Sequence, residues 1–353
     1  MPELLAGMRV LDLSVWRPMP HATQILADLG AEVLKLEPPG GDPMRGYPEI
    51  FASVARGKRS IEVDLRTDAG RARALVLAAD ADVVCEAWRP GVADRLGVGY
   101  EAVRTQRPDI IYCSLSGYGA EGPMRDLPGH DVNFQALAGA LAPRDGTASV
   151  PRLPVADLEG GTVCALLVCA AWAHRLATGA GERIDVAMTD VVAWWVGTTS
   201  GVVHTDAVGR TAGSPGYGVF RTRDHGWLAL GVLAEARLWR AIAVALGLDD
   251  LVDLDFAARL AATGPINDRI GAAVAALDLD DALARLEAEG APVSPVLTPE
   301  AATVHPQLQA RGIHVATATG TVVGLPARLG SAPGPRSGDL PAVGAHPEGF
   351  RPR

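Results

Sequence analysis

The chain has 353 residues, of which 48% are hydrophobic, and a formal net charge of -9. A chain of this length and composition can bury one large core or two smaller ones, which excludes an intrinsically disordered protein. The negative charge argues against nucleic acid as a partner, because binding to a polyanion depends on Lys and Arg.

The first 116 residues alternate between strand patterns and helix patterns. Helices are predicted over 21–29 and 67–79, the second capped by Thr67, and strands at MRVLDL, EVLKLE, RSIEVDL, VVCEA and IIYCSLS. Alternation of this kind predicts an α/β fold with a mainly parallel, helix-covered sheet. The loop after the first strand reads SVWRPMPH, so the Gly-rich fingerprint of dinucleotide-binding folds is absent there.

The rest of the chain predicts more helices and a second, smaller α+β domain. A long helical region over 131–177 contains an apolar run, 162–173, that is shorter than the roughly 20 residues of a membrane span, which predicts a buried helix and no membrane partner. The segment 209–218 is rich in Gly, Ser and Pro and predicts a linker. After this linker, the sequence predicts a hairpin-like pair of strands, three helices with Asp280 capping the last, and an extended Pro-rich tail after residue 324.

Domain boundaries follow from these changes of pattern. We predict a large Rossmann-like domain that begins with 1–189, a linker helix and crossing segment at 190–218, a small α+β domain at 219–291, and a return linker with the end of the large domain at 292–353. The N-terminus has no signal-peptide pattern, which predicts a cytoplasmic protein. The four cysteines lack metal-binding spacing and are predicted to be reduced core residues.

The motifs ARGKRS, AWRPG, SLSGYG, GHD, ADLEGG and PVSPVLTPE lie in four parts of the sequence, which cover 5–45, 55–101, 114–141 with 154–161, and 292–312. These four parts resemble the family III CoA-transferases of CaiB/BaiF type, a group that also contains α-methylacyl-CoA racemases. The resemblance implies a large and a small domain in an interlocked homodimer. It also implies an acyl-CoA substrate, with no metal and no cofactor beyond the CoA moiety of that substrate.

Three residues are candidates for catalysis. Asp157 matches the central catalytic aspartate of the family, and a helix predicted to start near Glu159 would stabilise its negative charge. His130 in GHD matches the racemase branch, and a histidine with a carboxylate can remove and return an α-proton. Glu235 matches a glutamate of the racemase site and could act across chains. From the residues alone, Asp157 could instead be a helix cap, His130 a structural histidine and Glu235 an exposed acid.

Four basic residues are candidates for binding the nucleotide part of CoA. Lys58 and Arg59 in ARGKRS and Arg89 in AWRPG match positions that hold this group in the family, and Arg45 in GGDPMR is a further candidate. Arginine can form paired, charge-assisted hydrogen bonds with phosphate oxygens. The alternative for each is a solvated surface charge.

The sequence departs from the racemase pattern at two places. Trp16 and Arg17 stand where racemases commonly carry Gly and Ala, which implies a differently shaped acyl pocket. Glu159, two residues after Asp157, adds a carboxylate that is expected to raise the pKa of Asp157.

Three functions are therefore compared. The leading one is a racemase that interconverts the 2R and 2S forms of a 2-methylacyl-CoA by α-proton exchange through an enolate. The second is a CoA-transferase in which Asp157 attacks the thioester and forms a covalent intermediate. The third is a CoA-binding protein without catalysis. His130 separates the first two, because only the racemase requires it as a proton carrier.

Overall fold

The structure is a computed structural model that describes residues 4–142, 148–200, 214–317, 320–330 and 340–352. It contains two compact units, the first made of Met1–Val196 with Pro306–Arg353 and the second of Gly197–His305. The first half of the predicted linker at 209–218, and with it the middle of the predicted crossing segment, lies outside the described residues.

A six-stranded parallel sheet forms the centre of the first unit. The strands run in the spatial order β3-β2-β1-β4-β5-β6, which is the order of the doubly wound dinucleotide-binding fold. The α/β class and the five strands predicted in the first 116 residues are confirmed. In chain order the strands are β1 (Arg9–Asp12), β2 (Glu32–Glu37), β3 (Arg59–Glu62), β4 (Val83–Glu86), β5 (Ile111–Ser116) and β6 (Glu182–Ala187).

Eight helices accompany this sheet in the chain up to residue 200. The predicted cap of the third is confirmed, because Thr67 Oγ1 accepts a hydrogen bond from the Gly70 N–H at 3.0 Å. The region predicted as one long helix is two helices, since Gly139 takes a left-handed φ of 85° just beyond the sixth. The helices are α1 (Pro18–Asp28), α2 (Pro48–Ala55), α3 (Asp68–Asp80), α4 (Val92–Arg95), α5 (Tyr100–Gln106), α6 (Asp131–Leu137), α7 (Val155–Thr178) and α8 (Met188–Ser200).

Successive side chains of the strands enter two separate cores on the two faces of the sheet. Val10 and Ile111 pack with side chains of α1 and α7 on one face. Leu11 and Tyr112 pack with α3 on the other face, together with Val103 of α5. The chain therefore leaves β1 toward one face of the sheet and leaves β4 toward the other.

Helix α7 is the one helix among the described residues that is long and apolar enough to cross a membrane. Core helices of soluble proteins share this length and composition, so the finding assigns no membrane. Only 39% of its apolar window is buried, and Leu166 and Leu167 are exposed. The prediction of a buried helix therefore holds for one side of α7, where Cys164 and Val168 enter the core.

The second unit contains a three-stranded antiparallel sheet in the order β7-β8-β9. The predicted hairpin is confirmed, but the predicted cap of α12 is wrong. Asp278 is at the N-cap position instead of Asp280, and Asp224 in the hairpin turn accepts the Leu279 N–H at 3.2 Å. The elements are β7 (Tyr217–Arg221), β8 (Trp227–Gly231), α9 (Ala236–Ala245), α10 (Phe256–Ala261), α11 (Thr263–Ala275), α12 (Leu279–Ala288), β9 (Val293–Pro295) and α13 (Pro299–Val304).

The end of the chain returns to the first unit through α14 (Pro306–Arg311), β10 (His314–Thr317) and β11 (Gly320–Val323). Its last described segment, 340–352, lies along the edge strand β3. The Ser60 N–H donates to His346 Nδ1 at 3.1 Å, and the His346 N–H donates to the Ser60 carbonyl at 2.8 Å. Phe350 is buried in the core beneath. The tail thus covers an otherwise open edge of the sheet.

Helices α1 and α7 pack tightly against each other at Gly161. A Cβ atom at this position would lie 2.4 Å from the Pro18 carbonyl oxygen, which is far inside van der Waals contact. The contact fixes the beginning of α1, and with it the loop after β1, against the first turns of α7.

We predict that Gly161→Ala destabilises the protein by about 1–3 kcal/mol, because α1 must move away from α7. Gly264→Ala is the matched control, since a Cβ atom there would meet nothing within 4 Å and alanine favours a helix. Calorimetric melting of both variants tests this. Equal melting temperatures would show that the Gly161 contact is not tight.

Candidate active site

The loops after β1 and β4 border the same crevice. These strands are neighbours, and the chain turns to opposite faces of the sheet after each of them. Ligands of open α/β sheets bind at such a switch point, beyond the carboxyl ends of the strands. Trp16 and Arg17 belong to the first of these loops, and Trp88 and Arg89 to the second.

Buried ion pairs hold the first loop from beneath. Lys35 donates to the Ser14 carbonyl at 2.6 Å and pairs with Asp42 at 2.8 Å. Asp42 Oδ1 in turn accepts the Trp16 N–H at 3.3 Å. Trp16 has a φ of 66°, a left-handed conformation that is strained for a bulky residue. Lys35 and Asp42 therefore help to hold this strained loop in place.

Lys58 is the second buried cation below the loop. Its three N–H donors are all used, by Asp12 Oδ2 at 3.2 Å, the Pro20 carbonyl at 3.0 Å and Thr23 Oγ1 at 2.6 Å. Burial lowers the pKa of Lys58 to about 8, although Asp12 opposes this shift. Lys58 therefore has no free donor for a phosphate, and in this structure it is a structural residue rather than the predicted CoA ligand.

Asp157 lies in the first turn of α7. The helix starts at Val155 and not near Glu159 as predicted, so Asp157 is inside the helix instead of before it. Asp131 caps this helix from a distance, because its Oδ1 atom accepts the N–H of Ala156 at 2.7 Å and of Asp157 at 3.2 Å. Two carboxylates are thereby brought together at one helix end.

This arrangement changes the protonation of Asp157. Burial, followed by the negative charge of Asp131, raises the pKa of Asp157 to about 6, while the charges of Arg17 and His130 oppose the shift. The carboxylate predicted to have this effect, Glu159, does not contribute. Residues two apart in a helix point to different sides, which explains the difference. Asp157 can therefore gain and lose a proton close to neutral pH.

His130 is at the N-cap position of α6 and is exposed. Its backbone N–H donates to Asn133 Oδ1 at 3.0 Å. Phe134 packs so closely on Gly129 that a Cβ atom there would lie 2.6 Å from its ring. Tyr118 packs edge-on against Phe134, with ring centroids 5.1 Å apart. Packing of the neighbouring residues therefore holds the backbone of His130 in place. Its imidazole lies within electrostatic range of Asp157.

A cavity of about 580 Å³ next to the crevice is lined by both His130 and Arg89. Its volume is in the range of small-ligand sites. Arg89 is exposed, and its side chain makes no hydrogen bond or ion pair with any described residue, so its guanidinium is available to a ligand. Asp157 does not line this cavity.

The other two CoA candidates are engaged within the protein. Arg45 forms two hydrogen bonds with Glu37, at 2.6 and 2.7 Å, and a third with the carbonyl of Pro341. Arg59 donates to the Gly349 carbonyl at 2.9 Å and pairs with Glu348. The structure therefore brings Arg89 to the candidate site, whereas Arg45 and Arg59 bind the chain's own C-terminal tail.

Glu235 belongs to the second unit, where it is exposed at the N-cap position of α9. Its carboxylate accepts the Leu233 N–H at 2.8 Å. Backbone amides, that of Glu235 first and then that of Leu233, hold the pKa of this carboxyl below its usual value. Its predicted role across a dimer interface stays a prediction.

Sequence reasoning missed Asp131 and underestimated Arg17. The signal for Asp131 was its position directly after His130 in GHD, but its contact with α7 spans 25 residues of sequence. Arg17 was noted only as a departure from the racemase pattern. In the described parts of the chain, no three His, Cys, Asp or Glu side chains come together as a metal site.

Comparisons with known proteins agree with this arrangement. Residues 5–347 match CoA-transferase family III. A probable fatty acyl-CoA transferase of Mycobacterium tuberculosis is 40% identical over 200 residues, 53% of this chain and 51% of that protein, so the match spans about half of each. Human α-methylacyl-CoA racemase is 33% identical over 255 residues, 69% of this chain and 65% of the racemase.

A solved structure of a related protein matches this chain over almost its whole length. The crystal structure of a CaiB/BaiF family protein from Brucella suis is 26% identical, covers 99% of this chain and 98% of its own, and has a TM-score of 0.87. The chain belongs to CoA-transferase family III. The relatives carry the names of transferases and of a racemase, so this protein is an enzyme of that family rather than a CoA-binding protein without catalysis.

We predict different effects for the two basic residues Lys58 and Arg89. Lys58→Met should lower the free energy of unfolding by about 3–5 kcal/mol, because it leaves Asp12 buried without its partner. Arg89→Ala should leave stability within about 0.5 kcal/mol and raise the KM for an acyl-CoA more than it lowers kcat. Denaturant unfolding and steady-state kinetics test both. A stable Lys58→Met variant with a raised KM would restore Lys58 as a nucleotide ligand.

Proposed function

We propose that the protein is an acyl-CoA racemase that exchanges the α-proton of a 2-methylacyl-CoA. The observation that carries this proposal is that His130 lies within electrostatic range of Asp157, whose pKa of about 6 suits a group that must both accept and donate a proton. The similarity to human α-methylacyl-CoA racemase supports it. His130 in GHD matches the racemase branch of the family, and Asp157 in ADLEGG matches the central catalytic aspartate of the whole family.

In the proposed reaction, the two groups work from opposite sides of the α-carbon. Asp157 or His130 removes the proton from one enantiomer, which leaves an enolate of the thioester, and the other group returns a proton to the opposite face. Burial, followed by the charge of Asp131, keeps the pKa of Asp157 high enough for this role, and Asp131 fixes its position through the backbone of α7. Arg89 binds the CoA portion away from the reacting carbon.

A CoA-transferase is the second candidate. The observation in its favour is the 40% identity to a probable fatty acyl-CoA transferase. In this reaction, Asp157 attacks the thioester carbon and releases the CoA thiolate, which leaves an aspartyl anhydride. The CoA thiolate then attacks the aspartyl carbonyl of this anhydride, which forms an aspartyl-CoA thioester and releases the donor carboxylate. The acceptor carboxylate displaces CoA from the thioester to form a second anhydride, and the CoA thiolate attacks its acceptor acyl carbon, which gives the new acyl-CoA and frees Asp157. His130 has no necessary part in these steps, so its replacement distinguishes the two candidates.

We further propose that the enzyme works as the interlocked homodimer implied by the family resemblance. Exposed apolar side chains on α7 and α8 support this assembly, because surfaces of this kind usually mark interfaces. They are Leu166, Leu167, Leu176, Trp194 and Trp195, with exposed fractions of 64, 38, 70, 61 and 41%. A second copy of the chain would cover them.

We therefore predict a dimer at micromolar concentration, with a buried area well above the roughly 1,600 Å² of a standard interface. Light scattering measures the mass of the particle in solution. A monomer at this concentration would contradict the assembly and remove the proposed role of Glu235 across chains.

We predict that His130→Ala lowers racemisation in both directions by roughly 100- to 10,000-fold, since every turnover needs both groups. The variant should still exchange the α-proton of the enantiomer that faces Asp157, with retention of configuration. His174→Ala, an exposed histidine of α7, is the control. Deuterium uptake and optical inversion are measured separately for each enantiomer.

The His130→Ala variant also distinguishes the two candidate functions when its CoA transfer is measured. Undiminished CoA transfer by His130→Ala to an added carboxylic acid, without inversion, would favour the transferase. In the racemase, kcat/KM should also fall as the pH drops below about 6 for the enantiomer deprotonated by Asp157, because that carboxylate becomes protonated. A rate independent of pH from 5 to 8 would argue against Asp157 as the base.

A further inference from the structure

Arg17 is a half-buried arginine without a partner. Within the described residues, its side chain has no hydrogen bond and no ion pair. A guanidinium has five N–H donors and stays charged at all physiological pH values. The other arginine beside the crevice, Arg89, is exposed to solvent. An arginine that is partly removed from solvent and unpaired indicates that its partner is a ligand.

The packing of α1 on α7 places Arg17 close to the reacting groups. Arg17 is the residue before α1, and the carbonyl of the next residue, Pro18, closely approaches Gly161. Asp157 is four residues before Gly161, so both lie on one side of α7. The charge of Arg17 also acts on Asp157. The strained Trp16 immediately precedes it.

We propose that Arg17 binds a carboxylate next to the reacting thioester, so that the enzyme is specific for a substrate carrying a second negative charge close to the α-carbon. This assignment rests on the proposed function of the site as an acyl-CoA enzyme. The carboxylate is either the far end of the acyl group or a free acid bound beside it. Arg17 is then a specificity-determining residue of this reaction.

The chemistry of the surroundings favours a carboxylate over other anions. The phosphates of CoA are separated from the thioester by the pantetheine arm, so a cation near Asp157 is poorly placed to bind them. Asp131 and Asp157 would repel a second carboxylate of the substrate, and Arg17 supplies the compensating charge. Its planar fork of donors matches two oxygen atoms better than the single oxygen of an enolate.

The test compares two CoA esters that differ only in the terminal group. 2-Methylsuccinyl-CoA carries a carboxylate where 2-methylbutanoyl-CoA carries a methyl group. Their dissociation constants are measured by calorimetry with the full-length wild-type protein and with Arg17→Gln, Arg17→Lys and Arg89→Gln. Free methylsuccinate is titrated separately into protein saturated with 2-methylbutanoyl-CoA. Circular dichroism confirms that each variant is folded.

We expect the wild-type protein to bind 2-methylsuccinyl-CoA roughly 10- to 100-fold more tightly than the neutral ester, as a charged hydrogen-bond pair allows. Arg17→Gln should abolish this preference and leave binding of the neutral ester nearly unchanged, while Arg17→Lys should keep part of it. Arg89→Gln should weaken both esters by the same factor. Binding of free methylsuccinate that depends on Arg17 would identify an acceptor acid as the source of the carboxylate.

Equal affinity for the two esters, together with no Arg17-dependent binding of methylsuccinate, would overturn the proposal. An equal loss of affinity for both esters in Arg17→Gln would also overturn the proposal, because it would assign Arg17 to the thioester or enolate oxygen. These measurements require no turnover. A preference that depends on Arg17, in a protein that neither exchanges deuterium nor transfers CoA, would therefore support the carboxylate site and reject the proposed function.

Discussion

The carboxylate of Asp12, fully buried at the end of β1, is the charge around which the site is built. Burial alone would raise its pKa, but Lys58 and Lys35, with the hydroxyls of Ser14 and Thr23, lower it to about 2. Its contribution to stability is therefore complete above the ordinary pKa of 3.8 and is lost as the pH falls toward 2. The group stays charged under all physiological conditions.

The rest of the crevice depends on this charge through a short series of contacts. Lys35 connects the carbonyl of Ser14 with Asp42, and Asp42 holds the strained backbone of Trp16. Arg17 follows and leads into α1, whose first turn rests on Gly161 of α7. Buried ion pairs are costly in free energy. Here they give a defined position to a loop that would otherwise relax, and the candidate catalytic carboxylate, Asp157, lies on the helix that this loop touches.

The sequence predicts much of this arrangement, and its failures have a common cause. The strands, their parallel pairing and the motifs with His130 and Asp157 depend on local patterns, which a sequence contains directly. Whether Lys58 is free to bind a ligand depends on Asp12, which is 46 residues away. Whether Arg59 is free depends in the same way on Glu348, which is 289 residues away. A basic motif cannot reveal whether its charges are already neutralised by the chain itself. Asp131, paired with a helix 25 residues later, was missed for the same reason.

The tail along β3 has a consequence for the order in which the protein is made. The first unit is interrupted in sequence, and the hydrogen bonds of Ser60 with His346 close the edge of its sheet. A ribosome releases the tail residues 340–352 only after the second unit, which is continuous in sequence and precedes them, has been synthesised. Until then, the nascent first unit exposes the unpaired edge of strand β3. Its sheet is protected from pairing with other chains only once this tail has been synthesised and has reached β3.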